Sequence, residues 1–208
     1  MAQIIKFPAQ ASKFGFKRVK KRPRAEDRDQ LSLFPQPTAQ ILNFESGLSL
    51  FEQALMLDER GDLKAADLYT RAIEEKVSVA DAYCNLGIIE SKKGNAVKAF
   101  DCFSTSLTHN PRHAEAHYNL ANVYFEMNDF RLAQLHYEMA AEVDPSFANV
   151  YFNLALVQAI NNNFDAAVNA LKRYRELVPA EEGRIAEELL QNLKKSLAAA
   201  KNARSGPG

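Results

Sequence analysis

Three stretches of this chain, each 34 residues from the next, decide its fold: AYCNLGIIE at 82–90, AHYNLANVY at 116–124 and VYFNLALVQ at 150–158. The spacing persists downstream, where alanine recurs at positions 99, 133 and 167 and proline at 111, 145 and 179. A fourth, less regular copy lies upstream: KAADLYTRA places Ala65 in register with Ala99, while Val77 stands where the other copies have proline. An internal repeat of this length is typical of solenoid proteins.

Within each copy, apolar residues recur at helical spacing in two successive stretches, and Gly or Asn separates the stretches. The separators are Gly61, Gly94-Asn95, Asn128-Asp129 and Asn162-Asn163. Small residues at a fixed position, Gly87, Ala121 and Ala155, allow two backbones to approach closely. Each copy is therefore predicted to be a pair of antiparallel helices joined by a tight turn.

This pattern resembles the tetratricopeptide repeat (TPR) family, in which an aromatic, Leu-Gly, Tyr, Ala, an aromatic, Ala and Pro stand at set positions. The third copy matches best, with His117, Leu120-Ala121, Tyr124, Ala133, Tyr137, Ala140 and Pro145. Glu90 and Gln158 replace the Tyr in the neighbouring copies. The resemblance covers about residues 46–180 and implies an all-α fold, a right-handed superhelix of about four helix pairs.

The predicted helices are 46–59 and 63–76, 80–93 and 96–109, 114–127 and 130–142, and 148–161 and 164–177. After them, AEELLQNLKKSLAAAK fits the capping helix that covers the last repeat of a solenoid, with Ile185, Leu189, Leu190, Leu193 and Leu197 on one face. We therefore expect three parts: a disordered basic arm at 1–44, a TPR solenoid domain at 45–200 and a frayed tail at 201–208.

The family resemblance implies that certain positions of each first helix face a concave groove. The sixth position is asparagine three times, and the other positions add apolar and aromatic side chains. The predicted peptide-binding groove comprises Asn85, Asn119, Asn153, Tyr118, Asn122, Phe125 and Phe152. A row of amides can donate to and accept from the backbone of an extended peptide, similar to the asparagine ladder of O-linked GlcNAc transferase repeats. The alternative is that these amides are solvated or cap helices.

The groove lacks the basic residues with which chaperone-associated TPR domains grip a C-terminal carboxylate. Glu115, Asn119, Asn149 and Asn153 stand there in the third and fourth copies. The leading prediction is a non-enzymatic scaffold that binds an extended segment of another protein, without cofactor and as a monomer.

The chain is neutral overall, but its charges are unevenly distributed. Residues 1–24 hold eight Lys or Arg and no acid, which leaves 18 bases against 26 acids in the remainder. A basic arm with aromatic residues in it is suited to nucleic acid. The candidate contacts are Lys17, Arg18, Lys20, Lys21, Arg22 and Arg24. A solubilising tail, an anionic-membrane contact and a nuclear import signal remain open alternatives.

The stretch QLSLF at 30–34 resembles the pentapeptide with which bacterial replication and repair proteins dock on the polymerase sliding clamp. In that motif Gln30 forms a hydrogen bond while Leu33 and Phe34 fill an apolar pocket, with Leu31 between them. The alternative functional prediction is thus a DNA-associated accessory protein that contacts nucleic acid and the sliding clamp. A competing prediction places the same side chains on the first repeat, near Leu48 and Phe51.

No catalytic constellation is present in the sequence. His109, His113 and His117 are four residues apart, which on one helix suits a metal, but Pro111 interrupts that helix. The two cysteines, Cys84 and Cys102, suggest neither a disulfide framework nor a zinc site. With no stretch of membrane-spanning or signal-peptide character, a cytoplasmic location is expected.

Overall fold

The computed structural model describes residues 16–20 and 47–204, and within these ranges the chain forms helices and no strand. The helices are α1 Leu50–Glu59, α2 Ala65–Glu74, α3 Val79–Lys92, α4 Ala96–His109, α5 Ala114–Glu126, α6 Phe130–Val143, α7 Ala148–Ile160, α8 Phe164–Leu177 and α9 Ala180–Arg204. Each helix packs on the next, and α3 also contacts α5. The predicted stack of four helix pairs plus a capping helix is confirmed. None of the described helices has the length and apolarity needed to cross a membrane.

The helix pairs close around small residues on the first helix of each pair. Gly87 of α3 lies so near α4 that a Cβ there would come within 2.7 Å of Cε1 of Phe103. Phe103 is itself fully buried, as is Tyr137 at the equivalent position of α6. Gly87 is thus a point of close approach between α3 and α4, and the equivalent Ala121 and Ala155 are buried.

The turns inside the pairs require a left-handed backbone residue. Gly61 and Gly94 fill this position in the first two pairs, with φ of 72° and 80°, and Asn128 and Asn162 in the last two, with φ of 60° and 61°. Glycine and asparagine are the residues that adopt this conformation most readily. The separators seen in the sequence therefore mark where each first helix ends.

The first repeat is the least regular one. Its helix α1 begins at Leu50, four residues after the predicted start, because Ser49 forms a capping box with Glu52. The connection to the next pair, where Val77 replaces proline, contains two left-handed residues, Lys76 and Ser78, with φ of 57° and 47°.

The last helix covers the end of the stack. Leu189, Leu190 and Leu193 of α9 are buried and belong to the same apolar cluster as Leu171 of α8. The helix continues to Arg204 and so includes four residues of the segment predicted to fray. The side chains of Ile185 and Leu197 lie outside the described residues.

Candidate functional site

The asparagines at the sixth position of the repeat lie at equivalent places on three successive first helices. Asn85 on α3, Asn119 on α5 and Asn153 on α7 are all fully buried. Residues 16–20, which are neither helix nor strand, bond to two of these side chains. We call residues 16–20 the internal segment. It belongs to the region predicted as a disordered basic arm, and the rest of that region lies outside the described residues.

Asn119 and Asn85 each hold one residue of the internal segment by its backbone. Oδ1 of Asn119 accepts a hydrogen bond from the N–H of Lys17 at 2.6 Å, and Nδ2 donates to the carbonyl of Lys17 at 2.9 Å. Asn85 repeats the arrangement with Val19, at 2.8 Å and 3.1 Å. Each amide thus satisfies both backbone groups of one residue, as a neighbouring β-strand does.

This spacing requires the internal segment to be extended. Residues 17 and 19 bond to amides on adjacent first helices, and packed helices lie about 8–10 Å apart. Two residues of fully extended chain span only about 7 Å. The segment therefore runs nearly straight along the groove, from the third helix pair towards the second.

Arg18 joins the internal segment to the first helix pair. Its Nη2 donates to Oδ1 of Asp58 at 2.6 Å, and its Nε lies 2.6 Å from Oδ2 of the same carboxylate. Burial raises the pKa of Asp58 above its ordinary value, and the guanidinium of Arg18 acts in the opposite direction. Arg18 thus forms one charge-assisted hydrogen bond through Nη2 and a close ion pair through Nε, which makes no hydrogen bond.

A hydroxyl connects the two ends of this arrangement. Tyr69 of α2 is fully buried, and its hydroxyl donates to Oδ2 of Asp58 at 3.4 Å. The same hydroxyl accepts a hydrogen bond from Nδ2 of Asn85 at 3.1 Å. The amide that holds Val19 and the carboxylate that holds Arg18 are therefore fixed by one tyrosine.

Two side chains of the internal segment enter an apolar cluster in the groove. Val19 is fully buried with Cys84, Ile88 and Phe103. Phe16 is half-buried, and its ring stacks on that of Phe103 with 5.6 Å between centroids and 19° between planes. The segment is therefore held by apolar contacts as well as by its backbone.

Of the candidate nucleic-acid contacts, the structure describes Lys17, Arg18 and Lys20. Arg18 is engaged by Asp58, whereas Lys17 and Lys20 are exposed. Nζ of Lys17 lies 5.5 Å from the ring centroid of Phe147, within the range of a cation–π contact. Lys21, Arg22 and Arg24 lie outside the described residues, and so does the candidate docking peptide Gln30, Leu31, Leu33 and Phe34.

Asn153 differs from the other two asparagines in its partners. Its Nδ2 lies 3.2 Å from the hydroxyl of Tyr118, 3.2 Å from Oδ1 of Asn122 and 3.3 Å from the hydroxyl of Tyr137. Its Oδ1 is buried and has no hydrogen-bond partner in the structure as described. This oxygen corresponds to the acceptors of Asn85 and Asn119 that bind backbone N–H groups.

The aromatic residues predicted for the groove lie partly in the core. Tyr118 is fully buried, with its ring 4.9 Å from that of Phe147. Phe152 is also buried, against Tyr174 at 5.3 Å, while Phe125 is half-buried and packs on Phe130 at 5.4 Å. The oxygen of Asn122 accepts a hydrogen bond from Tyr137 at 2.5 Å.

Sequence reasoning missed Asp58 and Phe103 as groove residues, and it did not identify the internal segment as their ligand. The one signal for this contact was the uneven charge of the chain, a basic arm joined to an acidic body, and it was interpreted as suited to nucleic acid instead. It could not indicate which carboxylate would meet which base.

The histidines form hydrogen-bonded contacts between helices. Nε2 of His113 lies 2.9 Å from Oδ1 of Asp81. Nδ1 of His117 lies 3.0 Å from Nδ1 of His136. Among residues 16–20 and 47–204, no group of three His, Cys, Asp or Glu side chains is arranged to hold a metal ion.

Stacked antiparallel helix pairs closed by a capping helix define an α-solenoid. Residues 78–146 and 118–182 each match a sequence model described as tetratricopeptide repeat. The chain belongs to the tetratricopeptide repeat family.

Curated relatives share the repeat but are much longer. Mouse tetratricopeptide repeat protein 8 is 33% identical over 84 residues, and human tetratricopeptide repeat protein 6 is 27% identical over 83 residues. Each match covers 40% of this chain and only 16% of the relative.

Solved structures show the same fold at low identity. MamA superposes with a TM-score of 0.54 at 19% identity, covering 73% of this chain and 96% of MamA. The first TPR of Spaghetti (RPAP3), bound to the HSP90 peptide SRMEEVD, gives a TM-score of 0.53 at 22% identity. That match covers 57% of this chain and 93% of the other.

Proposed function

We propose that this chain is a non-enzymatic interaction scaffold whose concave groove binds an extended segment of another protein. The observation that carries the proposal is the pairing of Asn119 and Asn85 with both backbone groups of residues 17 and 19. Such a grip requires an extended chain and is independent of the side chains of the two residues held. The groove is therefore suited to linear segments rather than to folded surfaces.

Asn153 extends the proposed site by one helix pair. A ligand residue two positions before the one held by Asn119 reaches α7, where Oδ1 of Asn153 is buried without a hydrogen-bond partner among the described residues. A backbone N–H at this point would satisfy that oxygen. The proposed ligand thus contacts three asparagines through alternate residues.

A TPR fold can hold a peptide, since the first TPR of Spaghetti is bound to one from HSP90. The present groove offers different chemistry, with neutral amides, aromatic rings and the carboxylate of Asp58. We therefore expect a ligand unlike an acidic C-terminal tail, and specifically one that complements a carboxylate.

Random-peptide display tests the proposal. The target is a full-length chain in which Phe16→Ala and Val19→Asp remove the apolar contacts of the internal segment; we call it the released variant. The affinity of each selected peptide is then measured for the released variant and for the same protein with Asn119→Ala added. Among the described contacts within the solenoid, Asn119→Ala removes only the 3.4 Å hydrogen bond from Nδ2 to Sγ of Cys84. The helical circular dichroism spectrum should therefore persist.

The matched control is Asn161→Ala, which removes an exposed amide bonded to Gln134 on the outer surface. We expect Asn119→Ala to weaken selected peptides about tenfold, because two backbone hydrogen bonds are lost. The control should leave their affinity unchanged. A failure to select peptides, or equal binding to both variants, would contradict the proposed function.

A further inference from the structure

We propose that the groove selects an extended segment of four residues: an aromatic residue, any residue except proline, an arginine and a small aliphatic residue. The internal segment, Phe16-Lys17-Arg18-Val19, has this chemistry and is the resident occupant that an outside partner must displace. The inference rests on the proposed function, since it names the ligand of the same groove.

The aliphatic position is defined by complete burial. Val19 is 0% exposed in a cluster with Cys84, Ile88 and Leu120. The backbone of residue 19 is fixed by Asn85, so a longer side chain cannot move outward to find room. A charged side chain at this position would be buried without a partner, which is strongly unfavourable.

The aromatic position lies three residues earlier, where Phe16 stacks on Phe103. Near-parallel rings at 5.6 Å give a contact that an aliphatic side chain reproduces only in part. Between the two apolar positions, residue 17 contributes its backbone to Asn119 while its side chain remains exposed. The segment therefore has two specified apolar positions and, between them, a position held through its backbone that accepts any residue except proline.

Arginine is specified by the carboxylate of Asp58. Nη2 of Arg18 donates to Oδ1 of Asp58 at 2.6 Å, Nε lies 2.6 Å from Oδ2 as an ion pair without a hydrogen bond, and the side chain of Asp58 is only 7% exposed. A lysine has only one nitrogen to place beside the carboxylate, whereas the guanidinium brings two nitrogens to it. Without a cation, Asp58 would remain a poorly solvated charge beside the hydroxyl of Tyr69.

The resident occupant raises the affinity or concentration that an outside partner needs in order to bind the groove. Because the internal segment and the groove belong to one chain, an outside segment of equal intrinsic affinity competes against an intramolecular ligand. A partner then binds at an appreciable level only if it is abundant or makes additional contacts, such as one with Asn153.

Fluorescence anisotropy with a labelled peptide of residues 14–22 tests both parts of the inference. The proteins are the full-length wild type and the released variant, whose groove residues are unchanged. We expect the released variant to bind the peptide at least about tenfold more tightly than the wild type does. Equal affinities would overturn the internal segment as resident occupant.

Selectivity is tested in the released variant with peptides altered only at residue 18. The Arg18→Lys peptide should bind more weakly than the parent, and the Arg18→Glu peptide should not bind measurably. Adding Asp58→Asn to the protein should make the parent and the Arg18→Lys peptide bind alike, and adding Asp58→Lys should restore binding of the Arg18→Glu peptide. Because Asp58→Asn is nearly isosteric, it keeps the test valid even if Asp58→Lys disturbs the fold.

The failures of the two proposals are distinguishable. If displayed peptides bind through Asn119 while the peptide of residues 14–22 does not bind, the groove is a peptide site but its selectivity is not the one inferred. Equal binding of the parent peptide and both altered peptides would likewise overturn only the inference. A wild-type dimer in light scattering that is lost in the released variant would show the segment acting between chains and would overturn its role as an intramolecular occupant.

Discussion

The side-chain amide of Asn85 and the backbone of Val19 exchange two hydrogen bonds, N–H to Oδ1 at 2.8 Å and Nδ2 to the carbonyl at 3.1 Å. The second proton of Nδ2 is directed to the hydroxyl of Tyr69 at 3.1 Å. One asparagine on a solenoid helix thereby offers the same donor and acceptor pair that the edge of a β-strand offers to a neighbouring strand. Its orientation is set by the core, so the amide is in position before a ligand arrives.

Asn153 is expected to contribute to stability even in the absence of a ligand. Its Nδ2 is shared among Tyr118, Asn122 and Tyr137, and all of these are buried. Asn153→Ala removes this donor and should lower the free energy of unfolding by about 1–3 kcal/mol. Urea unfolding measures this, with Asn161→Ala as the exposed control. Equal losses in the two variants would contradict the structural role of Asn153.

Gly87 is expected to tolerate no side chain. A Cβ there would lie 2.7 Å from Cε1 and 2.9 Å from Cδ1 of Phe103. Gly87→Ala should therefore destabilise the chain by about 1–3 kcal/mol, although alanine favours helix more than glycine does. Thermal unfolding should show the loss.

Two further variants separate crowding from helix propensity. Phe103→Leu should relieve the crowding caused by Gly87→Ala, because Leu171 stands opposite Ala155 at the same two positions of the fourth pair. Gly183→Ala in α9 places its Cβ at an ordinary 3.5 Å from Cγ of Arg175 and should be neutral or stabilising. No recovery in the double variant would disprove the proposed clash.

Acid should destabilise the third helix pair through two histidines. Burial, and secondarily the charge of His117, lower the pKa of His136 to about 4, and burial also lowers the pKa of His117. The Pro111 carbonyl can only accept, so Nε2 of neutral His117 donates to it and Nδ1 accepts from Nδ1–H of His136. Protonating His117 at Nδ1 would set two N–H groups against each other.

Because these pKa values lie below that of an unfolded histidine, about 6.5, the unfolded chain binds more protons at intermediate pH. The contribution of His136 is thus present above pH 6.5 and is lost as the pH falls towards 4. His136→Gln retains a donor for His117 and should lose less unfolding free energy between about pH 7 and pH 5 than the wild type. If urea unfolding shows equal losses of unfolding free energy in the wild type and His136→Gln between these pH values, His136 is not the cause of the acid sensitivity.

His113 should act in the opposite direction. Burial lowers the pKa of His113, but its hydrogen bonds to Asp81 and Glu115 outweigh that effect and raise it. Its contribution is complete below about pH 6.5 and is lost as the pH rises through the elevated value. Since His113 is present in both proteins, the difference in unfolding free energy between wild type and His136→Gln reports the contribution of His136 alone.

The fold was predictable because each structural feature of the repeat is marked by similar residues at equivalent positions in several copies. Gly87, Ala121 and Ala155 mark the same close approach, and Gly94 and Asn128 mark the same left-handed turn. The start of α1 was missed because the first copy is irregular and Ser49, through its capping box, sets the boundary locally.

Of the candidate site, only the asparagines contributed by the repeats were predictable, and the internal segment that they bind was not. Asn85 and Asn119 recur with the repeat, whereas their ligands Val19 and Lys17 lie 66 and 102 positions away in a segment that has no repeat register. The separate role of Asn153 depends on where Tyr118 and Tyr137 meet in space. No periodic pattern contains that information.

Amide hydrogen exchange at Lys17 and Val19, followed by NMR in the full-length chain, tests directly whether the asparagines hold the internal segment. We expect both amides to exchange at least about tenfold more slowly than in the free peptide of residues 14–22, because each donates to a buried asparagine oxygen. Asn119→Ala should remove the protection of Lys17. Exchange of both amides in the wild-type chain as fast as in the free peptide would contradict this, since it would show that the asparagines do not hold the internal segment.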